Sequence, residues 1–282
     1  GCTVSILFAL TPAESKRLIA RGVKEHPWVK QALAAGRILI SSGSTTGYVV
    51  EELLGRKIDI AHFPCGVVTE GVPCQTPEDR IRSIMIRNGT AIENDIGVTD
   101  YEELSVFANE LGPGDLYIKG ANAIDSEGCA GFLLAHPTGG NIMTVLPRVM
   151  AQGVRFLIPT GLEKMIGSVQ NAHRCMSGIG EYDFTFGRGC GYVTIDNGLV
   201  FHELSALQLL TGVTGCHVAS GGIGGSEGAV TLVVDGTKDQ LGAAVELIRR
   251  IKGEPPLKSW KKRCADCTFR CKYIFGNETE AR

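Results

Sequence analysis

The stretch RILISSGSTTGYVVEELLG, Arg37 to Gly55, restricts the fold more than any other part of the chain. A short apolar run over Arg37–Ser41 has strand length. It stops in a knot of small residues, and an apolar-striped segment with two adjacent carboxylates follows. A strand that turns straight into a helix belongs to an α/β layer fold, where parallel strands need helical crossovers. The helix start at such a turn offers amide N–H groups and the positive end of the dipole. Gly43 and Gly47 let the backbone approach a ligand, and Ser42, Ser44, Thr45 and Thr46 add hydroxyls. One hydroxyl suffices to cap a helix. Four within the five residues 42–46 predict a site for a phosphate or carboxylate.

The same alternation recurs along the chain. Thr11, Pro12 and Glu14 form a capping box with Pro at the first helical position. Thr99 with Glu102, and Thr237 with Gln240, repeat the box ahead of apolar-striped segments. Short apolar runs near Arg37–Ser41, Ile58–Ala61, Ile81–Ile86, Leu116–Lys119 and Arg155–Pro159 read as strands between them. The expected fold is α/β, a doubly wound, mostly parallel sheet. From about Asp183 the texture changes to antiparallel-looking strands around two helices, Glu203–Leu210 and Lys238–Ile251. This predicts a small ferredoxin-like α+β domain after the first. The expected organisation is a Rossmann-like domain over 1–180, the α+β domain over 181–256, and a cysteine-containing tail over 257–282.

Composition narrows the partners. The chain has 282 residues and a formal net charge of −2, with no basic block of the kind a nucleic-acid surface needs. No apolar run approaches the ~20 residues of a membrane span, and no signal-peptide pattern opens the sequence. The expectation is a cytoplasmic protein whose partner is a small anionic metabolite or another copy of itself, with no nucleic acid and no membrane. His26, His62, His173, His202 and His217 are isolated and read as structural. The Gly-rich segment Ala219–Val230 is followed by a strand, which predicts a long hairpin and not a dinucleotide fingerprint.

Two further segments can serve the anion pocket. Gly139, Gly140 and Asn141 precede a helix and predict a second N-terminal anion site. Lys164 follows the Arg155–Pro159 strand. With these in place, three segments in order resemble the superfamily of ribose-5-phosphate isomerase, glucosamine-6-phosphate deaminase and the CoA-transferases. SSGSTTGYVVEELLG is similar to its phosphate loop, DLYIKGANAID to its acidic strand end, and PTGGNIMTVLPRVMAQGVRFLIPTGLEKMI to its Gly-rich turn and Lys-bearing segment. The resemblance covers about Arg37 to Ile166 and implies a phosphorylated sugar, sugar acid or CoA-type ligand, with Lys164 facing it. It places Asn122 and Asp125 where the isomerases carry two acids, Ala123 on an intervening Glu, and Val149 on the general base after Arg148. Val149 can accept no proton, so the usual isomerase chemistry is not expected. Asp125 and Asn122 remain catalytic candidates, and Glu127 in DSEGCAGF is a candidate nucleophile of the transferase type. A non-catalytic sensor of the same fold stays open as an alternative.

The tail RCADCTFRCKY carries Cys264, Cys267 and Cys271 at gaps that let three thiolates converge on one ion. This predicts a zinc or iron–sulfur site, with Cys65 or Cys74 as candidates for the missing ligand. A metal-bearing assembly or electron-transfer component is the third reading.

Overall fold

The computed structural model describes residues 4–65, 67–76, 83–91, 101–268 and 271. Strand β1 (Val4–Leu10) leads through Thr11 into helix α1 (Pro12–Glu25). The Thr11 hydroxyl accepts from Glu14 N and the Glu14 carboxylate accepts from Thr11 N, which completes the capping box. Helix α2 (Pro27–Ala35), strand β2 (Arg37–Ile40) and helix α3 (Ser44–Leu54) follow. Then come the hairpin β3 (Val67–Thr69) and β4 (Val72–Cys74), and the pair β5 (Ile84–Arg87) and β6 (Thr90–Ala91). Helix α4 (Tyr101–Ala108) precedes β7 (Leu116–Ile118), β8 (Ala123–Ile124) and β9 (Ala130–Leu134). Helix α5 (Gly140–Gln152), β10 (Arg155–Pro159) and α6 (Val169–Cys175) lead to β11 (Gly191–Ile195) and β12 (Leu199–Phe201). The chain then forms α7 (Glu203–Thr211), β13 (Thr214–Ser220), β14 (Val230–Gly236) and α8 (Lys238–Ile251).

The molecule is mixed α/β, with eight α-helices among the described residues. Its largest sheet has the order β12-β10-β7-β2-β5-β6. The first four strands are parallel, and β5 and β6 join antiparallel at one edge. Ile38, Leu39, Ile40, Leu116, Tyr117, Ile118, Leu157 and Ile158 are at most 1% exposed, so the central strands are covered on both faces. Helix α1 packs on α3 and α7. Gly22 makes the second contact possible, since a Cβ there would stand 2.7 Å from the Ala206 Cβ. No described helix is long and apolar enough to cross a membrane.

Several expectations need correction. Ile58–Ala61 is not a strand. The Ile58 amide donates to the Glu51 carboxylate, and Ile60–His62 closes a 3-10 turn. The expected strand at Ile81–Ile86 is Ile84–Arg87 and runs antiparallel to β2; residues 81 and 82 lie outside the described residues, as does Thr99 of the second capping box. Strand pairing also crosses the boundary drawn at 180/181. β12 extends the main sheet beside β10, β11 pairs with β9, and β14 is sandwiched between β13 and the N-terminal β1. The antiparallel sheet β1-β14-β13, with α8 against β14 and β1, is thus completed by the first strand of the chain. The Gly-rich segment is the expected hairpin between β13 and β14.

Candidate anion-binding site

Because β2, β7 and β10 are parallel neighbours, their carboxyl ends open side by side, where α/β sheets form their ligand crevices. Past β2 the chain is anchored before it turns. Ser41 N donates to Ile118 O at 3.0 Å, and the buried Ser41 and Tyr117 hydroxyls lie 2.6 Å apart. The Thr46 hydroxyl donates back to Ser41 O at 2.8 Å, so this hydroxyl shapes the turn. Ser42, Gly43, Ser44, Thr45 and Thr46 line a cavity of about 180 Å³.

Past β7, Lys119 N donates to Leu157 O, and Ala121 N to the Thr160 hydroxyl at 2.9 Å. This holds Lys119, Gly120, Ala121 and Asn122 along the cavity wall. Past β10, the turn at Leu162–Lys164 brings the Lys164 side chain back, with Nζ donating to Ala121 O at 2.8 Å. The start of α5 forms another part of the wall. Gly139 sits in the left-handed region at φ 85°, and the Asn141 amide donates to the Ser42 hydroxyl at 3.2 Å. That bond ties the starts of α3 and α5 together at the same cavity.

Two features give the cavity its sign. Of the helices whose preceding residue is described, α1, α2, α6, α7 and α8 each have a side-chain cap, and α3 and α5 have none. The uncapped starts are the two that line the cavity. Uncapped amides at a partly buried helix end need an acceptor from elsewhere. In addition Lys119, Lys164 and Arg188 line the cavity, and no Asp or Glu does so among the described residues.

Burial depresses the two lysines. The Lys164 amine falls to about 8, from desolvation first and then from Lys16 and Lys119, with Glu163 opposing. Lys119 is lowered by burial, and Cys65 nearby pulls the other way. His136 is lowered by burial and then by Arg188. An anion in the cavity would relieve both the desolvation and the mutual repulsion.

The cavity therefore gathers the sequence candidates Ser42, Gly43, Ser44, Thr45, Thr46, Asn122, Gly139, Gly140, Asn141 and Lys164. Three others stand outside it. Gly47 is buried against the following turn, where a Cβ would meet the Ile60 Cγ2 at 2.7 Å. Asp125 is 7% exposed and accepts from three amides, those of Glu127, Cys129 and Val169, so its carboxylate closes the β8–β9 turn and the start of α6. Glu127 is exposed on that turn and is not among the residues that line the cavity.

Reading the residues in order missed Lys119, Arg188, Gln75, Cys65 and Tyr101, all of which line the cavity. Lys119 carries a signal, since it directly follows a strand neighbouring β2. Arg188 carries none. It arrives from a loop, where its backbone N donates to Pro73 O at 2.8 Å and its guanidinium reaches Ala135 O.

Cys264, Cys267 and Cys271 are not among the residues that line the cavity, and every described cysteine is a free thiol. Among the described residues no three His, Cys, Asp or Glu side chains are already gathered as a metal site. Compared with known proteins, the chain matches no family model and no curated protein.

Proposed function

We propose that the chain binds a small phosphorylated metabolite of the sugar or sugar-acid class, with its phosphate on the starts of α3 and α5. The observation that carries this is the pairing of two uncapped helix starts with three cations, without an acidic residue among the described lining. A cavity of about 180 Å³ favours a compact ligand over a whole CoA or dinucleotide. The four parallel strands and the site at their carboxyl ends support the reading of a doubly wound sheet related to the ribose-5-phosphate isomerase and CoA-transferase superfamily. Val149 is buried at 2% exposure and Ala123 at 7%, so neither place supplies a base. In our reading the reaction is not the isomerase reaction, and Lys164, with its amine near 8 and its side chain on the cavity lining, is the acid–base group.

A panel of sugar phosphates, sugar-acid phosphates and inorganic phosphate, read by calorimetry, tests the proposal. Thr45 is 4% exposed and lines the cavity, so Thr45→Glu places a carboxylate where the phosphate sits. The expected outcome is saturable binding by one class of phosphate ester, lost by at least ~100-fold in Thr45→Glu, consistent with like-charge juxtaposition. Undiminished binding in that variant, or preference for unphosphorylated sugars, refutes it.

A further inference from the structure

The tail motif Cys264-x-x-Cys267-x-x-x-Cys271 leaves open which residue completes it. The fold narrows the choice, because the tail returns to the β3–β4 hairpin. Lys262 N donates to Gln75 O at 2.7 Å, next in sequence to Cys74, and Lys261 N donates to the Glu70 carboxylate at 2.6 Å on the hairpin turn. Cys267 N then donates to Cys264 O at 3.2 Å, which folds the first two tail cysteines into one turn beside that hairpin. Gly187 and Arg188 close the other side, with Arg188 N on Pro73 O at 2.8 Å. A side chain at Gly187 would stand 2.3 Å from that same oxygen.

Cys74 and Cys271 each lie within electrostatic reach of Cys264 and Cys267. All four are partly buried free thiols, and thiolates brought together there would repel one another, a cost that a central cation removes. Cys65, the other candidate, lines the anion cavity and acts on Lys119 instead.

We infer that Cys74 is the fourth ligand of a four-thiolate metal site with Cys264, Cys267 and Cys271, taking zinc or an iron–sulfur cluster at the edge of the anion cavity. Among the described residues these thiols are not already gathered around one point. A thiolate site closes around its ion, and binding supplies the local folding energy. Four thiolates around zinc, or around a cluster, carry net negative charge. Lys261 lies with Nζ 3.7 Å from the Cys264 Sγ, and Arg188 lies within electrostatic reach of Cys271, so both cations oppose that charge. Arg188 and Gln75 also line the cavity, and their side chains meet at 3.5 Å, so one pair of residues borders both sites. This inference does not depend on the ligand of the cavity.

The test uses the full chain purified without oxygen. Elemental analysis and visible absorption separate the two centres: about one zinc per chain in colourless protein, or iron with acid-labile sulfide and absorbance near ~400 nm. Alkylation mapped by mass spectrometry on the unmodified chain should label the exposed Cys175 and Cys216 and spare Cys74, Cys264, Cys267 and Cys271 until a chelator is added. Cys74→Ser should lose most of the metal, and Cys65→Ser should keep it. Metal-free protein in which the four thiols react as fast as Cys175 overturns the site. Loss of metal in Cys65→Ser with retention in Cys74→Ser overturns the choice of ligand.

Discussion

Lys164 stands under opposing demands. Its Nζ donates to Ala121 O at 2.8 Å, yet burial and the nearby Lys16 and Lys119 lower the amine from 10.5 to about 8. The folded state therefore releases this proton before the unfolded chain does. Below about pH 8 both states hold it and the penalty is complete; between about 8 and 10.5 the unfolded chain binds more protons, so this group's contribution to stability rises with pH. A bound phosphate favours the charged amine. We expect proton uptake on binding near pH 8 and affinity that falls as pH rises above it. Calorimetry in two buffers of different ionisation enthalpy measures the uptake directly; identical heats would mean that Lys164 does not meet the anion. Lys164→Met should raise stability at pH 7 while weakening binding, since it removes a buried charge and a ligand contact together. Histidine shows the opposite use of a polar side chain. His26 and His202 cap α2 and α7 through their ring nitrogens, and burial holds His202 neutral at about 4.

Helix starts divide the elements into two kinds. Where the start serves only the fold, a side chain closes it, as at Thr11, Ser168 and Thr237. Where it meets the cavity, a glycine precedes it and no side chain intervenes. Gly139 is needed there on two counts. Its φ of 85° is left-handed, and a Cβ would fall 2.2 Å from the Met143 Cγ within the first turn of α5. Gly139→Ala should cost about 1–2 kcal/mol for the backbone alone, with more from the displaced Met143. It should also weaken phosphate binding, because the amides of α5 turn away from the cavity. Urea unfolding and calorimetry on the same variant separate the two effects, and a variant that loses stability but keeps full affinity would take α5 out of the anion site.

At the scale of the whole molecule, a few buried polar groups tie distant segments together. Arg17, 4% exposed, reaches Glu51 at 2.7 Å and Glu52 and Glu254 at 3.0 Å, joining α1 and α3 to the chain after α8. Glu203, 1% exposed, accepts from Leu162 N at 2.8 Å and pairs with the Ser15 hydroxyl at 2.9 Å, joining α7 to α1 and to the turn beyond β10. Burial raises its carboxyl from 4.5 to about 7 against these hydrogen bonds. The folded state thus keeps a proton that the unfolded chain sheds, so stability should fall as pH rises from about 4.5 to about 7, by on the order of 3 kcal/mol. Glu203→Gln should flatten that part of the profile. Thermal unfolding of both proteins across this range is the measurement, and parallel profiles would show that Glu203 is ionised throughout.

What could be read from the residues alone was local. Thr11 and Thr237 announce their helices because a cap is completed within four residues, and α8 spans the predicted Lys238–Ile251. The turn between β2 and α3 is legible in the residues, because a strand-length apolar run, small turn residues and a helical stripe are all local signals. The rest depended on pairing over long distances. Nothing near Val4–Leu10 specifies its partner Val230–Gly236, since an apolar strand fits many edges and its mate is chosen by what the rest of the sheet leaves open. Asp125 had the right residue type for catalysis, and only the fold shows its carboxylate occupied by three amides. Arg188 belongs to the cavity because a loop packs on Pro73, and Cys74 meets the tail because Lys262 pairs with Gln75. Caps and turns act over a few residues and are written where they act; charge placement and burial are sums over neighbours that the chain acquires only by folding.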